Sequence, residues 1–108
     1  MKDDRVYLLN IIECIEWIQT YTSSGEEEFM KSRLIQDAVN RNLEIIGEAT
    51  KRISVDLKDQ NKDIPWRQMA GLRDVLIHDY MGVSNKIVWN VVQNELPQLL
   101  VKIKKLTD

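Results

Sequence analysis

Apolar residues recur at three- and four-residue intervals along almost the whole chain, and very little interrupts them. Val6, Leu9, Ile12, Ile15 and Ile18 form one such series, widened by Leu8, Ile11 and Trp17. A second runs through Ile35, Ala38, Val39, Ile46, Ala49 and Ile53, and a third through Ile87, Val88, Val91, Val92, Leu96, Leu99, Leu100, Ile103 and Leu106. Spacing of this kind places side chains on one face of a helix. Only 4 glycines and 2 prolines occur among the 108 residues. A many-stranded sheet needs turn residues at each hairpin, so their scarcity argues against one. The chain reads as all-α, a single domain over residues 1–108 folded as a four- to five-helix bundle.

The breaks fall where the few punctuating residues are. A first helix over 4–21 stops in Thr22-Ser23-Ser24-Gly25, and Ser24 with Glu27 makes a capping box for the next. That second helix spans about 26–57, with a break possible at Lys31-Ser32. Asn42 falls inside its apolar stripe, where a buried amide must either satisfy a helix neighbour or face a functional cleft. Lys58 to Ile64 is a polar connection. Pro65 suits the first position of a third helix that runs to about Tyr80 and stops near Gly82. Ser84 caps the last helix, Val83 and Val88 are placed for a hydrophobic staple, and Pro97 predicts a kink.

A formal charge of -2 and an isoelectric point near 5.4 exclude a protein that coats itself with nucleic acid, since phosphate neutralisation needs a basic surface. Contact with nucleic acid would be confined to a cleft. The single cysteine, Cys14, allows no disulfide within the chain, which points to the cytoplasm. The acidic start MKDDRVYLLN lacks an export signal, and no apolar run is long enough to span a bilayer.

The chemistry concentrates in Arg73-Asp74-Val75-Leu76-Ile77-His78-Asp79-Tyr80. On a helical wheel Arg73 shares a side with Trp66, Met69, Ala70, Leu76, Ile77 and Tyr80, so a permanent cation sits among apolar residues and requires a partner or a task. His78 lies about 140° away, beside Asp74 one turn earlier. The two could meet at one substrate at a helix end, at a distortion or across a dimer interface. Arginine and histidine together suffice for RNA cleavage without a metal. The imidazole can take or give the proton as the 2′-hydroxyl attacks the adjacent phosphate, and the guanidinium can hold that phosphate and stabilise its added charge. One histidine, one cysteine and no acidic pair at ligand spacing make a poor metal site, and no phosphate-binding loop or dinucleotide fingerprint is present. Arg67 falls near His78 on the wheel, where it can add a phosphate contact or simply stand in solvent. A lone histidine near a helix C-terminus is by itself commonly a dipole-stabilised residue. In the plainest reading Arg73 pairs with Glu44 or Glu48 in a helical dimer with no activity.

Arg73, His78 and Tyr80 complete the pattern Arg-x4-His-x-Tyr, with the polar Asp74 after the arginine. With DDRVYLLNIIECIEWI, QDAVNRNLEIIGEATKRIS, IPWRQMAGLRDVLIHDYMGV and IVWNVVQNELPQL, the pattern resembles the HEPN superfamily, and closely its HepT-like branch. The resemblance implies a helical HEPN-type bundle, paired as a homodimer that brings two Arg-x4-His motifs into one cleft. It also implies a metal-independent endoribonuclease toxin acting on tRNA or mRNA, with Arg73 and His78 catalytic and Asp74 and Asn42 supporting. The partner implied is a minimal nucleotidyltransferase antitoxin that transfers AMP to Tyr80, as in a type VII-like toxin–antitoxin module. ATP and magnesium would serve that partner, and this chain would need no cofactor. The alternative is a non-catalytic helical subunit that docks the nucleotidyltransferase as an adaptor or nucleotide-binding module.

Overall fold

A computed structural model describes the backbone of residues 2–78 and 84–108 and the side chains of residues 3–72 and 84–108. The described residues form α1 (Lys2–Tyr21), α2 (Glu26–Lys31), α3 (Arg33–Arg52), α4 (Val55–Gln60), α5 (Trp66–His78), α6 (Asn85–Asn90), a π-helical turn (Val91–Glu95) and α7 (Leu96–Thr107). No strand occurs among them, and no helix is long and apolar enough to cross a membrane. The all-α class holds. The bundle is built from α1, α3, α5 and the α6–α7 rod, with α3 packed against both α1 and α5 and with α7 on the other side of α1.

The stripe of α1 sits in a different phase from its first-listed apolar residues. Leu8, Ile11, Ile15 and Ile18 are buried, with Ile12 and Cys14 at their edge, whereas Val6, Leu9 and Trp17 remain 57%, 44% and 48% exposed. A helix apolar on most sides fits several phases equally well, and only its neighbours choose one. Asp4 falls on the chosen stripe and is buried with it. Its carboxylate accepts hydrogen bonds from the Ser54 N–H and hydroxyl, which fixes the start of α1 at the end of α3 and makes the two helices antiparallel.

The second long helix of the sequence reading is three helices. Ser32 does break it. The Ser32 side chain accepts the Ile35 N–H at 3.1 Å and opens α3, while Gln36 Nε2 donates back to the Phe29 carbonyl at 2.9 Å. A second break follows at Ile53-Ser54, where the Ser54 hydroxyl accepts the Leu57 N–H and opens α4. The cap of α2 is Gly25 at φ 96°, with no side-chain bond, rather than Ser24. A positive φ is open to glycine at no steric cost, so the turn is made by the backbone instead of a capping box. On α3, Val39, Leu43, Ile46, Gly47, Ala49 and Thr50 are buried, and the Thr50 hydroxyl is satisfied by the Ile46 carbonyl at 2.7 Å.

Ser84 caps α6 by accepting the Lys86 N–H, as its position suggests; Gly82 and Val83 lie outside the described residues. Pro97 acts through a π-helical turn. Leu96 N–H bonds the Val91 carbonyl, five residues back. Proline has no N–H for the usual bond and its ring crowds the carbonyl four residues earlier. Widening the preceding turn by one residue accommodates both defects and lets α7 continue. The rod ends on α1, where Arg5 Nη1 donates to the Thr107 carbonyl at 2.6 Å and Lys104 pairs with Glu16 at 3.2 Å. At its middle, Lys102 Nζ donates to the Asp63 carbonyl at 3.0 Å, tying α7 to the segment that leads into α5.

Candidate active site

Helix α5 carries the Arg-x4-His motif, and its first two turns are firmly held. Ile64, Trp66 and Met69 are buried in the core. The indole N–H of Trp66 donates to the Asn61 carbonyl at 3.0 Å, and Met69 N–H closes the first turn on the Pro65 carbonyl at 3.0 Å. Trp66 is thus a core and anchoring residue. Its ring cannot serve as a platform for a base.

The topology sets the direction of α5. Its start is bonded to Asn61, just past α4 and so beside the end of α3. Six residues after His78 the chain enters α6, whose Trp89 packs its ring on Phe29 at 5.4 Å, just before α3 begins. Helix α5 therefore runs antiparallel to α3. The half that contains Arg73, Asp74 and His78 lies along the N-terminal half of α3, where Asn40 and Asn42 are found.

The backbone is α-helical from Trp66 to His78. Five residues of regular helix keep Arg73 and His78 about 140° apart around the axis and about 7.5 Å apart along it. No distortion between them turns both to one side. The side chains of Arg73, Asp74 and His78 lie outside the described residues, as does the whole of Tyr80.

Asn42 resolves toward its structural alternative. It is half-buried, and its Nδ2 donates to the Ala38 carbonyl one turn back at 2.9 Å. Two residues earlier, Asn40 was not singled out from the sequence. Its Oδ1 is shielded from solvent and has no hydrogen-bond partner among the described residues. A buried carbonyl oxygen left unpaired is costly, so such an atom near the motif half of α5 stands out. The sequence signal was available: position 40 follows Val39 and precedes Leu43 on the buried side of α3. Glu44, one proposed partner of Arg73, is 3.4 Å from Arg41 on its own helix.

A cleft of about 400 Å³ opens between α1 and α3, with Tyr7, Asn10, Arg41, Glu44, Glu48 and Arg52 in its walls. It includes no residue of α5, and its two arginines face two glutamates. It is therefore no anion site and stands apart from the motif. Cys14 lies under the same face. Burial and the Glu13 carboxylate push its thiol up to about 11, against a smaller opposing effect of Arg41, so it is not a nucleophile at neutral pH.

Comparison with known proteins bears on the motif helix directly. A family model described as "Ribonuclease HepT-like" matches residues 11–106, a span that contains Arg73, His78 and Tyr80. The chain is 46% identical over 106 residues to the "Probable ribonuclease HepT" of Thermococcus cleftensis, covering 97% of this chain and 96% of that protein. It is 37% identical over 107 residues to a "Putative RNase" of Caldanaerobacter subterraneus subsp. tengcongensis, covering 98% and 96%. A longer protein of Methanocaldococcus jannaschii, named "Gamma-glutamylcyclotransferase and putative RNase", is 41% identical over 108 residues, and this chain spans 49% of its length. No solved structure matches the chain.

Proposed function

Since this chain belongs to the HepT-like ribonuclease family, we propose that it is an endoribonuclease that cleaves RNA without a metal ion, using Arg73 and His78. The observation that carries the reading is the span of the family match, which takes in the whole motif helix. The chemistry needs two functions. A base removes the proton of the 2′-hydroxyl as its oxygen forms a bond to the adjacent phosphorus, and an acid returns a proton to the departing 5′-oxygen as that bond breaks. The chain has one histidine, whose ordinary pKa of about 6.5 suits either task. The guanidinium of Arg73 is suited to grip the phosphate through two N–H donors and to stabilise the charge that gathers on its oxygens.

A dimer solves the geometric difficulty. Arg73 and His78 of one regular helix do not face one side, so two copies of α5 brought together would supply an arginine and a histidine to each phosphate, and a second histidine for the second proton transfer. Asp74 sits one turn before His78, where a carboxylate can orient the imidazole. In this reading the protein is the toxin of a toxin–antitoxin pair. Its partner is a nucleotidyltransferase that silences it by placing AMP on Tyr80, with tRNA or mRNA as the target.

The test is cleavage of RNA by purified protein in EDTA. Wild type should cut, and Arg73→Ala and His78→Ala should lose activity while circular dichroism shows helix content unchanged. A requirement for a divalent ion, or a folded His78→Ala variant with full activity, would overturn the assignment.

A further inference from the structure

Gly71 stands in the middle of α5, where a glycine costs a helix stability and requires a reason. The fold supplies none. A Cβ added at Gly71 meets nothing within 4 Å among the described residues, so no neighbouring helix demands the space. Positive φ among the described glycines is confined to Gly25, so the backbone conformation demands nothing either. The reason must then lie outside the chain: something approaches α5 closely enough here that a methyl group would be in the way.

The surroundings indicate what it is. Arg67, one turn before Gly71, is exposed and has no ion-pair or hydrogen-bond partner among the described residues, and Gln68 beside it is exposed too. Positions 67, 71, 74 and 78 follow one another at i, i+4, i+7 and i+11, which is a single stripe along a helix. Position 78 carries the histidine assigned to proton transfer. The stripe therefore links an uncommitted cation, an open glycine and the catalytic position over about 16 Å of helix. A protein partner would seek apolar surface, because interface cores are poor in charge. The large exposed apolar side chains, such as Leu34, Ile87 and Val101, are on other elements. A polar strip with a free guanidinium suits a phosphate backbone.

We propose that single-stranded RNA bound for cleavage continues from position 78 toward the start of α5, lying against the bare backbone at Gly71 and giving a flanking phosphate to Arg67. This rests on the ribonuclease reading and extends it: Arg67 and Gly71 bind and position the strand beside the scissile phosphate and take no part in the chemistry.

The probe is a fluorescein-labelled oligoribonucleotide with 2′-O-methyl groups, which binds but cannot be cut, read by anisotropy beside cleavage of an ordinary RNA. Gly71→Ala should raise the thermal midpoint by roughly 2–8 °C, since it removes a helix glycine at an open position. It should at the same time weaken RNA binding and raise KM several-fold with kcat little changed. Arg67→Ala should lower the slope of log affinity against log salt by about 0.7, the contribution of one phosphate on a single strand. A more stable Gly71→Ala protein that binds and cleaves like wild type would overturn the proposal while leaving the nuclease intact. A change of oligomeric state in Gly71→Ala by light scattering would assign this face to a second copy of the chain and overturn it likewise. Wild-type protein that neither binds nor cuts RNA would refute both this proposal and the ribonuclease reading.

Discussion

Asp4 and Ser54 are joined by two hydrogen bonds, from the Ser54 N–H to Oδ1 at 2.8 Å and from the Ser54 hydroxyl to Oδ2 at 2.6 Å. Ser54 also accepts the Leu57 N–H at 3.2 Å, so one serine caps α4 and holds the start of α1 at the end of α3. Burial pushes the Asp4 carboxyl up, but the hydrogen bonds from Ser54, aided by the charge of Lys58, outweigh it and hold its pKa below the ordinary 3.8.

This pair makes stability depend on acidity in a defined direction. A carboxyl whose folded pKa is depressed stabilises the fold above its unfolded pKa, and that contribution is lost as pH falls through the folded value. Asp4→Ala should cost about 1–3 kcal/mol in urea unfolding at pH 7, because two donors of Ser54 lose a charged acceptor. Below about pH 4 the gap between variant and wild type should close. A gap that persists unchanged at pH 2.5 would mean that the carboxylate charge is not what holds the joint.

The separation of Arg73 and His78 around α5 leads to a complementation test. If each cleft takes its arginine from one copy and its histidine from another, mixing Arg73→Ala with His78→Ala protein should restore cleavage that neither has alone. Activity should rise with time as subunits exchange. Failure to recover any activity after unfolding and refolding the two variants together would place both groups of each site in a single copy.

Cys14 should be silent in the folded protein. It is buried, with a thiol pKa of about 11, so little thiolate is present at pH 8 and a reagent must wait for the fold to open. Labelling with a disulfide reagent should be slow in buffer and immediate in denaturant. Rapid labelling of the native protein would show that α1 detaches readily from the bundle.

Tyr80 is the proposed switch. Incubation with a nucleotidyltransferase antitoxin, ATP and magnesium should add AMP-sized mass to the peptide containing Tyr80, and cleavage should fall in step with the adduct. The added phosphate would compete with RNA for Arg73 by the electrostatics that make phosphorylation a switch. A Tyr80→Phe variant still silenced by modification elsewhere would remove this tyrosine from the mechanism.

Much of the architecture was legible before any coordinates. Helices come from local spacing, so α1, α3 and the last rod follow from their apolar series, and the break at Ser32 and the cap at Ser84 follow from side chains that compete for backbone N–H groups. The motif Arg73, His78 and Tyr80 was equally plain, because residue type and interval are properties of the chain alone. Neighbours decided the rest. Which phase of α1 is buried, Leu8 and Ile11 rather than Val6 and Leu9, depends on where α3 and α7 lie. Asn42 became a satisfied helix residue and Asn40 the unpaired one for the same reason: burial and hydrogen bonding are relations between elements. Pro97 carried its own defect in the sequence, yet whether the chain kinked or widened into a π turn was set by the need to keep Val92, Leu96, Leu99 and Ile103 in the core. Sequence determined the helices and the reactive groups they carry. Tertiary packing decided which faces are covered and which remain open, as at Gly71, because burial is a property of contacts that no local pattern contains.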